Sequence, residues 1–299
     1  MSLPRPKGEY RNAQHEGTPV TGLSAQAVRD SVRDLPPLPE VVMELIQSLG
    51  NEALGAEQLA QRIARDPALA AKTLRLANSS LYGMSRRVTS IGEATAILGL
   101  RNLRSVATAA GLVGSFAPSH CAGFEFKAFW HHTIGTALCA RALAGAQGLD
   151  EEEAFTLGLL HDIGRLALAS SFPEATARAM AHQRDSDGPT LESERAVLGT
   201  DHCAVGGMIA EHWCFAPAIV DAIVSHHEPA PSACASLADV VHVADNIAHA
   251  LDLSKLDNDI VPPLSMPAWI RLRLDEGQCR AVFQQAEAQH EAVCAALSI

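Results

Sequence analysis

An apolar run, Gly158-Leu159-Leu160, ends in a histidine and an aspartate side by side, His161-Asp162, and Ile163-Gly164-Arg165 follows. Burying an imidazole next to a carboxylate is expensive unless both are paired or metal-bound, so a fold that takes this run inside must bring partners to the pair. Neighbours on a helix point about 100° apart, which lets the imidazole ligate one metal while the carboxylate bridges to a second. Supply is not limiting, since eleven of the thirteen histidines lie between His120 and His249.

The other candidates sit on separate segments: His131-His132 after Phe129-Trp130, His202 at an expected helix start, His226-His227-Glu228 at an expected helix end, and Asp245. Asp245 stands among Val241, Ala244 and Ala248, on or beside an apolar stripe, and an acid there requires a partner. Imidazole and carboxylate donors suit Fe, Mn, Zn or Ni rather than a thiolate-type site.

The rest of the chain reads as helix. Apolar residues recur at helical spacing over 40–49, 56–64, 68–77, 91–98 and 103–113, then over 126–146, 151–160, 173–182, 191–198, 202–213, 217–225, 237–251 and 276–296. Asp66-Pro67 supplies an N-cap and a first-turn proline, while Gly50-Asn51 and Gly99 supply stops. No useful strand-period segment and no internal repeat occurs, and aromatics make up only 4% of the chain, which favours helix over strand. The expected fold is all-α: an HD-domain-like helical bundle preceded by an N-terminal helical subdomain. Residues 1–22, without periodicity, are expected to be a disordered lead-in. The N-terminal subdomain then covers 23–118 and the metal-bearing one 119–299, with the boundary in the segment 114–123 around Pro118.

A formal charge of -11 argues against a nucleic-acid partner, because tracking a phosphate backbone rests on clustered Lys and Arg. No apolar run approaches the roughly 18–20 residues of a membrane span, and seven scattered cysteines without C-x-x-C spacing read as free thiols, so no membrane association and a cytoplasmic location are expected.

The strings Leu35-Pro36-Pro37-Leu38-Pro39, Ile63-Ala64-Arg65-Asp66-Pro67, Leu76-Ala77-Asn78-Ser79-Ser80-Leu81-Tyr82-Gly83, the segment 91–100 and Phe129-Trp130-His131-His132 together resemble an HDOD domain, over roughly residues 30–250. The resemblance implies kinship with HD phosphohydrolases and a place in bacterial signalling, in a family where many members have lost metal ligands and act as regulatory modules. Matched to the HD-GYP type of centre, His132 fits the first histidine, His161 and Asp162 the HD pair, His202 the next histidine, His226 and His227 the paired histidines, and Asp245 the final aspartate. That set implies two divalent transition-metal ions. Arg165 stands where HD-GYP enzymes carry lysine and keeps a cation able to hold phosphate. The GYP element is missing, since His226-His227-Glu228 runs into Pro229-Ala230-Pro231, and Ala128 stands where some three-metal enzymes place an acid. Cyclic-di-GMP hydrolysis is therefore not expected.

Two functions follow. One is a regulatory signalling module with a signalling protein as partner. The other is a metal-dependent phosphohydrolase acting on a nucleotide or other phosphate-containing small molecule, with Asp162 and Arg165 as its catalytic residues. A mixed-valence diiron oxygenase, which some HD relatives resemble in ligand set, comes third. The remaining residues receive plainer assignments. His120, His182, His212 and His290 are expected to be hydrogen-bonded core or surface residues, and His131 a neighbour of the centre. His242 and His249 are expected to support Asp245 or face solvent, and the cysteines to fill the core. Arg86, Arg87, Arg101 and Arg104 are expected on a solvated face, and Leu81-Tyr82-Gly83 between the subdomains.

Overall fold

The computed structural model describes residues 22–35, 37–47, 55–83, 86–116, 120–257 and 259–299. Its regular structure is helical throughout, with no strand among the described residues, as the apolar spacing predicts. The 1–22 lead-in, apart from Gly22, lies outside the described residues, as do Pro36, the Gly50-Asn51 stop and Pro118 at the proposed boundary. Among the described residues no helix is long and apolar enough to cross a membrane.

The first half runs through α1 (Ala25–Arg33), α2 (Glu40–Gln47), α3 (Ala56–Arg65), α4 (Pro67–Ala77) and α5 (Ile91–Ser115). Helix α1 is not foreseen by the spacing; Val28 and Val32 are its only buried residues. The Asp66 carboxylate accepts from the Ala68 and Leu69 amides and so starts α4 as expected. Gly99 is the stop the sequence announces, at φ 78° and ψ 169°, but the chain re-enters helix at once, so α5 is two helical pieces joined at that residue.

The second half is built around α6 (Phe126–Gln147), whose middle, His132 to Ala140, is buried on every side. Against it and each other pack α7 (Glu151–Leu160), α8 (Ile163–Ser171), α9 (Pro173–Ser186), α10 (Thr190–Leu198), α11 (His202–His212), α12 (Pro217–Ser225), α13 (Leu237–Ala250), α14 (Met266–Leu272) and α15 (Glu276–Leu297). The spacing does not predict α8 or α14. Two glycines set the approach of α7 and α8 to their neighbours. A Cβ on Gly158 would lie 2.5 Å from Cα of Ala137 on α6, and one on Gly164 would lie 2.0 Å from the His202 carbonyl oxygen at the start of α11. The turn between these glycines carries His161 and Asp162 and is thereby pressed between α6 and α11.

At the junction of the halves, the Arg141 guanidinium lies 5.0 Å from the ring centroid of the half-buried Tyr82 and pairs at 2.8 Å with Glu152, so Tyr82 packs between the halves as the Leu-Tyr-Gly string suggests.

Candidate metal centre

Five segments converge on one buried volume. Helix α6 contributes His132, and the turn closing α7 and opening α8 contributes His161 and Asp162. His202 is the first residue of α11, held there by the Asp201 cap on the Ala204 amide. His226 and His227 follow α12 directly, and Asp245 and His249 lie one turn apart on α13. His132, His161, Asp162, His202, His226 and Asp245 are each 3% exposed or less. His161 and Asp162 occupy a helix-to-helix turn rather than one continuous helix, the difference that α8 makes to the sequence expectation.

The contacts fall around the two carboxylates. Asp162 faces Nε2 of His202 at 3.3 Å and Nε2 of both His161 and His226 at 3.7 Å. Asp245 faces Nε2 of His132 at 3.0 Å, of His249 at 3.5 Å and of His161 at 3.6 Å, with Nδ1 of His227 at 3.9 Å. His161 reaches both acids. All seven metal candidates and Arg165 are therefore brought together; Arg165 donates to Asp162 at 2.9 Å.

The opposite edges of the imidazoles are tied down. His161 Nδ1 donates to the Gly158 carbonyl and His226 Nδ1 to the Ile223 carbonyl, both at 2.7 Å. His202 Nδ1 lies 2.6 Å from Glu194, which also accepts the His202 amide, and His249 Nδ1 lies 2.9 Å from Asp259. An anchored Nδ1 fixes the tautomer and aims Nε2, the arrangement that holds histidine ligands on a metal. Against that order, Nε2 of His161, Nε2 of His226 and Oδ2 of Asp245 are buried without a hydrogen bond. Such orphans cost roughly 1–3 kcal/mol each. They converge within a set of imidazole and carboxylate donors that suits Fe, Mn, Ni or Zn, so the residues present fit a metal.

Electrostatics agree with a site built for cations. Burial raises the Asp162 carboxyl, but His161, Arg165 and His202 together hold it well below the usual carboxylate range. Burial likewise opposes the Asp245 charge, and His249, His132 and His161 outweigh it. Burial and the His249 charge push His132 down to about 4, so its imidazole is neutral and able to ligate. Burial also opposes a proton on His226, yet the Cys203 sulfur and Asp162 lift it to about 10. Without a cation, protons on His202 and His226 supply part of the positive charge the acids require.

Glu194, Asp259 and His249 contact the candidate ligands and are left out of the set by sequence reasoning. Glu194 carried a usable signal: it shares helical spacing with buried Leu191 and Leu198, where an apolar residue is normal. His249 approaches Asp245 and His132 closely enough to join the donors, so it is more than a support for Asp245. His242 is buried rather than solvated, and it supports the paired histidines instead of Asp245: its Nδ1 donates to the His226 carbonyl at 2.7 Å while its Nε2 accepts the Ser265 amide. Cys203, expected only to fill the core, places its sulfur 3.7 Å from His226 Nδ1. Arg86 and Arg101 form the expected surface ion pairs with Glu93 and Asp150, but Arg104 is buried, not on a solvated face.

Three cavities touch this region. One of about 40 Å³ lies against His132, Arg165 and His249, and one of about 20 Å³ against Arg165 and Glu194. A cleft of about 300 Å³, lined by Gln183, Thr190, Arg195, Ile260 and Val261, reaches the centre only at His227.

The HDOD domain family matches residues 35–229. An HDOD domain protein of unknown function from Geobacter sulfurreducens superimposes with a TM-score of 0.76 at 23% identity, covering 92% of this chain and 98% of that one, a likeness of fold alone. A candidate phosphohydrolase from Shewanella amazonensis SB2B gives a TM-score of 0.74 at 29% identity, covering 91% and 98%. An uncharacterized protein of Treponema pallidum (strain Nichols) is 27% identical over 280 residues, and this chain, matched over 92% of itself, spans about half (53%) of that relative. With the family matched over most of its length and its helical fold shared with an HDOD structure, the chain belongs to the HDOD domain family.

Proposed function

We propose that the chain is a bacterial signal-transduction module of regulatory type, built around a dinuclear centre of divalent transition-metal ions and acting on a signalling protein. In this reading His132, His161, Asp162, His202, His226, His227 and Asp245 would hold the ions. The observation that carries the regulatory reading is enclosure. Six of these seven side chains are buried, and the cavities against Arg165 are of water size, whereas ligand pockets typically span about 300–1,000 Å³. Among the described residues neither cavity against Arg165 has room for a dinucleotide, in keeping with the missing GYP element.

The cleft at His227 supports the second reading, a metal-dependent phosphohydrolase for a small phosphate ester, because its volume of about 300 Å³ sits at the lower edge of that range. Bound metal would supply the positive charge that acidifies a water and steadies a phosphate oxygen. For its part the chain excludes bulk water, aims the Nε2 atoms, and fixes Asp162 through Arg165. Arg165 is 26% exposed in its side chain and pairs with Asp162 at 2.9 Å.

Metal analysis of anaerobically purified, reduced protein, combined with a phosphodiesterase and nucleotidase panel, separates the two. The regulatory reading predicts bound metal without turnover. Turnover that Asp162→Ala abolishes would overturn it in favour of the hydrolase.

A further inference from the structure

His131 and His132 are adjacent on α6 but serve different faces. While His132 turns into the centre, the His131 ring packs against His290 of α15, with centroids 5.3 Å apart at 65°. One turn further along α15, the Cys294 sulfur lies 3.5 Å from His290 Nε2. A donor atom from each of the three residues falls within 4.8 Å of the others. We propose that His131, His290 and Cys294 form a second metal site, for a thiophilic divalent ion of the zinc type, which pins α15 to α6.

The first support is a polar group without a role. Both ring nitrogens of His131 are buried and neither has a hydrogen-bond partner, although a neutral imidazole carries one donor and one acceptor. Ligation satisfies one of them directly. The second is spacing, because His290 and Cys294 stand four residues apart on one helix face, the separation at which two side chains meet on a common ion. The third is the donor set: two imidazoles and a thiol, with no carboxylate, select zinc-like ions over Mg²⁺ or Ca²⁺.

On binding such an ion, Cys294 releases its proton to solvent and becomes a thiolate. The balance is simple: one S–H bond breaks, one metal–sulfur and two metal–nitrogen bonds form, and one proton leaves with no change of oxidation state. His290 gives up its present 2.8 Å donation from Nε2 to the His131 carbonyl, and its ring proton moves from Nε2 to Nδ1 so that Nε2 can take the metal. Ligand atoms of a tetrahedral zinc site lie roughly 3.3–3.8 Å apart, as bonds of about 2.0–2.3 Å require, and Cys294 Sγ and His290 Nε2, 3.5 Å apart, already stand at that separation.

The test is a Co²⁺ titration of the metal-free, reduced, full-length chain, reading the thiolate-to-cobalt charge-transfer absorption that imidazole and carboxylate donors do not give. The expected result is a band that saturates at one equivalent per chain, vanishes in Cys294→Ala, weakens at least tenfold in apparent affinity in His131→Gln, and persists in Cys203→Ala. Circular dichroism checks that each variant is folded; if Cys294→Ala is not, His131→Gln decides by the same band. No band in the unmodified chain, a band that survives Cys294→Ala, an unchanged affinity in His131→Gln, or a band lost in Cys203→Ala would overturn the proposal.

Discussion

Between Ala25 and Ser115 the described interior is Val, Leu, Ile and Ala, relieved only by Thr73, Arg104, Ser105 and Thr108; between Phe126 and Ala250 it also encloses His132, His161, Asp162, His202, His226, Asp239, His242 and Asp245. One half is held by transfer of apolar surface from water, which needs volume and little direction. The other must satisfy each buried donor, acceptor and charge, and it does so with anchored imidazoles that still leave inward atoms unpaired. The contrast teaches that the second half spends stability on a site, and that the two halves should fail differently when single side chains are changed.

The largest break comes from Asp162. In Asp162→Ala, His161, His202, His226 and Arg165 lose the anion they share, and removing one partner of a buried charge network costs about 3–5 kcal/mol. Chemical denaturation should show that loss, and metal analysis should show the centre emptied. In the apolar half, Leu45 is fully buried, and Leu45→Ala should cost about 2–5 kcal/mol in the same measurement while leaving metal content per folded chain unchanged. Metal loss from Leu45→Ala would erase the contrast between halves. Glu194→Gln is gentler: the fold persists, but the grip on His202 Nδ1 weakens and metal affinity should fall about 10–100-fold in a competition titration.

The smallest effect concerns the seam. Burial, reinforced by the Glu152 charge and opposed by Arg141, raises the Tyr82 hydroxyl above its ordinary 10.0. The folded chain therefore keeps a proton that the unfolded chain gives up above pH 10, so Tyr82 contributes stability below that pH and loses it progressively as pH rises further. Tyr82→Phe should flatten the alkaline limb of a stability-against-pH curve; an unaltered limb would remove Tyr82 from the seam's energetics.

What the sequence reveals follows the same division. Helices with apolar spacing and clear punctuation, such as α4 behind Asp66-Pro67, are legible to within a few residues. Helix α8 is not, because Asp162 begins it without a side-chain cap and Gly164 sits in its first turn. The HD pair and Asp245 are legible because each is polar where an apolar residue belongs, and His132, His202, His226 and His227 through their match to the HD-GYP type of centre. Which nitrogen points inward is not, since that depends on the Gly158 and Ile223 carbonyls and on Glu194, partners that only the folded chain brings into place.

The central claim is that the acids and histidines of the second half surround two metal ions. Anomalous diffraction at the absorption edge of the metal identified by elemental analysis tests it most directly. The account predicts two peaks between Asp162 and Asp245, within bonding distance of the Nε2 atoms of His132, His161, His202 and His226. An absence of anomalous density there in metal-loaded crystals would contradict it.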